Sequence, residues 1–419
     1  MLTMRRTVIT GIGAVTPLGN TFVESWTAAK EGRSGIAPIT KFDASRLRWK
    51  AAGEIKDFDP DSCLGSREVK RLDNFIHYAA AAAAEALKDS GLTNEEGKSP
   101  DPGYLGSGGV IIGSSRGGIS AIEKALLKLP EPSGSRLSRL SAFLMPSTTI
   151  SMASSYIAQK FFIKGYCLGI SNACASGSNA IGEAYRMIKA GFKGPVVAGG
   201  AEAPICRLCV AGYGATGALS KTRDFTASRP FSRSRDGFVL AEGACVLVLE
   251  NLDAALKRGA AIYGEIAGYS NTADAVHQVK PSAEGEAEAM SSAIAEAGLG
   301  PKDIDYVSAH GTSTVMGDRA EAEALGKVLG DRASLVPVTA VKSLTGHMLA
   351  GSGALEAGFT LMTLRDKVIP PTINLEEGDN CCGLDVITEK KEAEVSTAIS
   401  NSFGFGGVNA VLVLRSLRL

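Results

Sequence analysis

No stretch of the sequence approaches the roughly 18 consecutive apolar residues of a membrane-crossing helix, so no membrane span is expected. Charge of one sign is not in excess: 44 Lys and Arg balance 44 Asp and Glu. No global field therefore recruits nucleic acid, and any polyanion contact has to come from a local patch. The start, "MLTMRRTVITGIGAVTPLG", has no sustained apolar core and reads as a strand and turn, not a signal peptide. A cytoplasmic chain with reduced thiols is the expectation. No glycine-rich loop ends in Gly-Lys-Ser/Thr, which excludes a P-loop NTPase. "GIGAVTPLG", from Gly11, carries Thr16 where a dinucleotide fingerprint needs its third glycine, so a nicotinamide enzyme is excluded too. Of eight cysteines, Cys206 and Cys209 form one C-x-x-C without a second pair at zinc spacing, and Cys381 and Cys382 are adjacent. Apart from Cys174, the cysteines read as small hydrophobic filler. No metal and no cofactor are expected.

What is present is an ordinary globular balance, 45% hydrophobic and 21% charged, over 419 residues. That length suits two domains, or one architecture assembled from two halves. Short β-branched runs alternate with longer helical patterns, which predicts an α/β fold. Strands are expected at "RTVITGIG", "GVIIGSS", "GPVVAGGAEA" and "GACVLVLE", then at "AAIYGEIAGYS", "DYVSAHG", "VPVTAVKS", "CGLDVIT", "STAISNSFG" and "NAVLVLRS". Helices are expected at "HYAAAAAAEALKDSG", "SNAIGEAYRMIKAG", "EAEAMSSAIAEAG", "RAEAEALGKVLG" and "GALEAGFTLMTLRD". A helix–strand junction after Lys257 divides the chain into 1–257 and 258–419, with no sequence repeat between them. The Pro- and Ser-rich segment from Leu129 is expected to be a surface excursion or a subunit contact.

Cys174 stands among "NACASGSNAIGEA", immediately before a helical pattern in which Ala180, Ile181, Ala184, Met187 and Ile188 recur and which Gly191 ends. Free amide N–H groups and the helix dipole there are expected to lower the thiol pKa and to hold an oxyanion. Only four histidines occur. His310 and His347 each follow a strand and precede a helix, as Cys174 does, and strand C-terminal ends are where open α/β sheets place their sites. His77 lies in an Ala-rich helix and reads as packing. A thiolate with two imidazoles suits acyl transfer.

The segments "NACASGSNAIGEA", "AHGTSTVMGDRAEAEAL", "VKSLTGHMLAGSGALEA", "PPTINL" and "NSFGFGGVNA" resemble the β-ketoacyl-acyl-carrier-protein synthases, above all the type II elongating enzymes. The resemblance runs end to end. It implies the thiolase fold, five αβαβα layers built from two similar halves, and a homodimer. It separates neighbours as well: no second Cys stands near the C-terminus as in degradative thiolases, and the third position is His347, not the Asn of initiating synthases. The implied reaction is a decarboxylative Claisen condensation of malonyl-carrier protein with an acyl group on Cys174, in fatty acid elongation.

By the same resemblance His310 and His347 stabilise the enolate, and Lys342 and Glu356 orient the histidines. Thr312 and Thr314 bind the pantetheine arm. The N–H groups of Cys174 and Phe405 form an oxyanion hole, and Phe405, between Gly404 and Gly406, is a gate. Arg67, Lys70 and Arg71 dock an acidic acyl carrier protein. Arg116 stands where long-chain enzymes carry an aliphatic residue at the end of the acyl pocket. A guanidinium there is costly without a partner, so Arg116 turns away, or the pocket is short, or the acyl chain ends in a polar group. A ketosynthase of a type II polyketide or polyene pathway is the alternative. A non-condensing partner subunit is a third reading, and retention of Cys174 speaks against it.

Overall fold

The computed structural model describes residues 5–129, 140–375 and 382–417. Eleven strands form one continuous sheet: β1 (Thr7–Val15), β2 (Gly109–Gly113), β3 (Tyr166–Ile170), β4 (Val196–Glu202), β5 (Gly243–Asn251), β6 (Gly264–Ala273), β7 (Tyr306–Ser308), β8 (Pro337–Thr339), β9 (Asp385–Val386), β10 (Thr397–Gly404) and β11 (Val408–Arg415). The strand order is β9-β8-β7-β10-β11-β6-β1-β5-β4-β2-β3. Outward from the centre, β1-β5-β4-β2-β3 and β6-β11-β10-β7-β8 follow the same course: first, last, last but one, second, third, with β9 added at the outer edge of the second half. A duplication without any repeat in sequence is therefore visible in the topology. The two halves of the sheet meet through the antiparallel pairs Thr7↔Ile266, Val8↔Glu265 and Ile9↔Gly264.

Six of the helices that flank the sheet matter for the site: α1 (Asn74–Asp89), α2 (Ser176–Ala190), α3 (Arg207–Ala215), α4 (Ala283–Glu296), α5 (Val315–Leu329) and α6 (Ala350–Asp366). Helix α1 covers the outer face of β1, β4 and β5, while α4 covers β6 and β11 and packs on α5. Between the half-sheets lie α2 and α6, packed on each other and on strands from both halves. Strands covered on both faces read as unbroken apolar runs, and in β5 every residue from Gly243 to Glu250 is buried. Helix α6 is likewise buried from Ala350 to Leu364. Its N-terminal turn approaches so closely that a Cβ on Gly177 or Gly200 would lie 2.2 or 2.1 Å from the Ala350 carbonyl oxygen. Only glycine fits there.

All ten expected strands and all five expected helices are present. Strand β3 was not expected, and its exposed Tyr166 and Cys167 explain why: an edge strand has no fully apolar run to read. Helix α3 was also not expected, because two glycines, Gly212 and Gly214, interrupt its pattern. The excursion expected from Leu129 falls partly at 130–139, and Cys381 falls within 376–381; both lie outside the described residues. Its remaining part, from Leu140, exposes Phe143 and Met145. Among the described residues no helix is long and apolar enough to cross a membrane.

Candidate active site

Cys174 follows β3 and precedes α2 by two residues. The turn that holds it is unusual, with Ala173 at φ 47°. Serine hydroxyls tie the turn down: Ser176 Oγ accepts the Asn172 N–H at 2.8 Å, and Ser115 Oγ donates to the Ala173 carbonyl at 2.7 Å. Opposite, β10 ends at Gly404, where a Cβ would stand 3.3 Å from the Cys174 nitrogen. Phe405 follows, and its backbone N–H lies near enough to the Cys174 sulfur to favour the thiolate. Gly406 and Gly407 have φ 92° and 70°, which L side chains rarely adopt.

His310 sits in the loop after β7. Glu321 of α5 fixes that loop by accepting the backbone N–H groups of His310 and Gly311, each at 2.8 Å, and Asn401 Nδ2 holds the same carboxylate at 3.0 Å. Lys342, in a short helix (Lys342–Thr345) after β8, is 1% exposed. Its ammonium lies 3.2 Å from His310 Nδ1, 2.6 Å from the His310 carbonyl oxygen and 2.5 Å from Glu356 Oε1. Each of its three donors thus has an acceptor. His347, between that helix and α6, pairs Nδ1 with Ser352 Oγ at 3.2 Å, while its Nε2 has no protein partner. The His310 and His347 rings meet edge to face with centroids 5.4 Å apart.

Cys174, His310, His347, Thr312, Thr314 and Phe405 all line one cavity of about 220 Å³. Tyr213 of α3 and Phe238 form part of its wall. Burial, and then the Lys342 charge, push both histidines well below their ordinary value, so both are neutral at physiological pH. Burial raises the Glu356 carboxyl to about 7, with Lys342 pulling it back. Cys174 departs from expectation. Burial pushes its thiol up to about 11, and the lowering by Lys342, the Phe405 N–H and Arg116 does not overcome it. The resting group is a thiol.

Thr312 and Thr314 face each other through their hydroxyls at 3.0 Å, and Thr314 also caps α5 through the Gly317 N–H. Gly406 is tied back by its N–H to the Gln278 carbonyl at 2.7 Å. Arg116 does not line the cavity. Its side chain is exposed, and its Nε donates to the Tyr213 hydroxyl at 3.0 Å. Arg67 and Lys70 are exposed on and after a short helix (Ser66–Val69), and Arg71 stacks 4.2 Å from the Phe143 ring centroid. None of these three reaches the cavity. Glu321, Ser352 and Tyr213 were missed in the sequence. Only their helical phase toward the site could have marked them. His77 is buried in α1 and lies apart from the cavity. Among the described residues no group of three or more His, Cys, Asp and Glu could hold a metal ion.

Residues 4–255 match the family described as Beta-ketoacyl synthase, N-terminal domain, and residues 263–376 match its C-terminal domain. The chain belongs to the β-ketoacyl synthase family. It is a condensing enzyme of acyltransferase type with the thiolase fold. The sequence is 42% identical to a 3-oxoacyl-[acyl-carrier-protein] synthase 2 of Synechocystis over 99% of both chains. It is 43% identical to the protein of that name from Coxiella burnetii over 98% of both. Among solved structures, the ishigamide ketosynthase/chain length factor superposes with TM-score 0.90 at 34% identity, covering 99% of this chain and 100% of that one. A type II polyketide ketosynthase in complex with its acyl-carrier protein gives 0.89 at 31%, with the same coverage.

Proposed function

We propose that this chain is an elongating 3-oxoacyl-acyl-carrier-protein synthase whose reaction runs through Cys174, His310 and His347. The observation that carries the reading is the pair of buried, neutral imidazoles 5.4 Å apart on the same cavity as Cys174. Two neutral N–H donors suit an oxyanion better than imidazolium, because they do not have to give up a proton at the moment of reaction.

In the first half-reaction the Cys174 sulfur attacks the acyl thioester carbonyl. The N–H groups of Cys174 and Phe405 receive the oxyanion, the pantetheine thiol leaves, and it takes up the proton that Cys174 loses. In the second, the thioester oxygen of a malonyl group accepts from His310 and His347. The bond to the carboxylate breaks, its electrons form the enolate, and carbon dioxide departs. The carbanion attacks the Cys174 thioester carbonyl, the carbon–sulfur bond breaks, the β-ketoacyl product leaves, and the released thiolate takes up a proton from water. Lys342 fixes the His310 tautomer, and Glu356 balances the lysine charge. Thr312 and Thr314 take the pantetheine arm, while Gly404 and Gly406 let Phe405 act as the gate.

The proposed partner is an acidic acyl carrier protein docking on Arg67, Lys70 and Arg71, with the enzyme a cytoplasmic homodimer whose halves divide at 257/258. A polyketide or polyene ketosynthase is the second reading. The polar Arg116–Tyr213 contact beside the cavity and the likeness to the ishigamide ketosynthase favour it. The test is product analysis with malonyl- and acyl-carrier proteins together. A β-ketoacyl-carrier protein two carbons longer supports condensation. Acetyl-carrier protein and carbon dioxide alone contradict it.

A further inference from the structure

The C-x-x-C of Cys206 and Cys209 is not used by the condensing machinery, yet it has a defined place. Strand β4 ends at Glu202, and four residues later Cys206 is the N-cap of α3, with Cys209 one turn on. That is the strand–loop–helix setting in which a C-x-x-C reads as a redox pair. Positions one helical turn apart have Cα atoms about 5–6 Å apart, inside the range a disulfide spans without backbone movement. Both cysteines are free and belong to one small cluster with Val210 and Tyr213, against which Cys174 and Phe405 also pack. Arg207 and Leu208, between them, are exposed, so the turn is at the surface although Cys206 and Cys209 themselves are 5% and 7% exposed.

The two thiols are not equivalent. The Cys209 thiol holds Cys206 below the ordinary thiol range, and Cys209 is raised in return. Glu123 accepts the N–H groups of Arg207 and Leu208, so the helix start is capped without either sulfur. An attacking thiol at a helix N-terminus beside a buried, protonated partner is the arrangement that thiol–disulfide exchange requires.

We propose that Cys206 and Cys209 are a redox-active dithiol that closes to a disulfide by exchange with small-molecule disulfides, independently of Cys174. The Cys206 sulfur attacks the small disulfide and releases one of its thiols. Cys209 then attacks the mixed disulfide, forming the Cys206–Cys209 bond and releasing the second thiol. Two electrons pass from the dithiol to the small disulfide, and its two product thiols carry away the two protons.

The test is equilibration of the reduced full-length protein in graded ratios of reduced to oxidised glutathione. Acid quenching, denaturation, alkylation and tryptic mapping follow. Trypsin cuts after Arg207, between the two cysteines, so a bridge appears as two linked peptides. Loss of two alkylatable thiols of the eight, with 206 linked to 209, is expected. Cys209→Ser should retain a glutathione on Cys206, and Cys206→Ser should retain none on Cys209. Alkylation of both cysteines at every ratio overturns the proposal, as does linkage of either to another cysteine. Should a variant not fold, the peptide map of the unaltered protein decides alone.

Discussion

The ammonium nitrogen of Lys342 lies 3.2 Å from Nδ1 of His310 and 2.6 Å from the same residue's carbonyl oxygen. An ammonium only donates, so Nδ1 must accept, and the imidazole proton is placed on Nε2. The lysine thereby sets which nitrogen of His310 can donate to substrate. It also keeps that ring neutral, since a proton on Nδ1 would face a cation.

Lys342→Met should uncouple this arrangement. Glu356 loses the ammonium it pairs with, inside a region that is almost fully buried. Breaking a buried pair in this way costs about 3–5 kcal/mol, which calorimetry would read as a lower Tm. Malonyl decarboxylation should fall by about 10²–10³-fold, the range for losing one oriented oxyanion donor. Acylation of Cys174 should persist in whatever fraction stays folded, measured by intact mass.

The depressed histidines set the acid limb of the rate profile. Both lie well below 6.5, and protonation of either removes its neutral donor character. Decarboxylation should therefore hold its rate as pH falls through the ordinary imidazole range and drop only below it. Glu356, pushed up to about 7, is the group at this site that titrates nearer neutrality, so Glu356→Gln serves as the control. A half-maximal rate at the ordinary imidazole value in both proteins contradicts the assignment.

Cys174 carries a prediction of the opposite sign. Its folded pKa is raised to about 11, so the thiolate fraction at neutral pH is small and grows with pH. Iodoacetamide inactivation, scored on the Cys174 peptide, should keep accelerating beyond the ordinary thiol value of about 8.5. A plateau reached by neutral pH would mean that the N-terminus of α2 outweighs burial.

How much of this was legible in the sequence depends on what each residue touches. His310 and His347 sit at strand-to-helix junctions that periodicity marks, Cys174 was legible only as the residue just before a helix, and the three share a cavity. Strand β3 was invisible because an edge strand half-open to solvent carries no apolar run. Glu321 was invisible for another reason: two of its bonds go to backbone N–H groups eleven and ten positions back in the chain, and composition does not reveal a backbone partner. The thiol pKa was misjudged because a helix N-terminus can be read from a sequence, whereas the desolvation of the sulfur comes from elements far away in the chain.

The surface cations give a prediction about the partner alone. Charge reversal of Arg67 and Lys70, both exposed, should raise the KM for carrier-borne substrate about tenfold or more and reduce its salt dependence. The same variants should handle a pantetheine-borne acyl group as the unaltered protein does. Equal losses on both substrates would place the damage in the fold.

The central claim is that Cys174 carries the acyl chain. Its most direct test is intact-mass measurement after incubation with acyl-carrier proteins of graded length, beside Cys174→Ala. The account predicts a mass gain of one acyl group on the unaltered protein and none on the variant. An equal gain on both, or no gain with any donor, contradicts it.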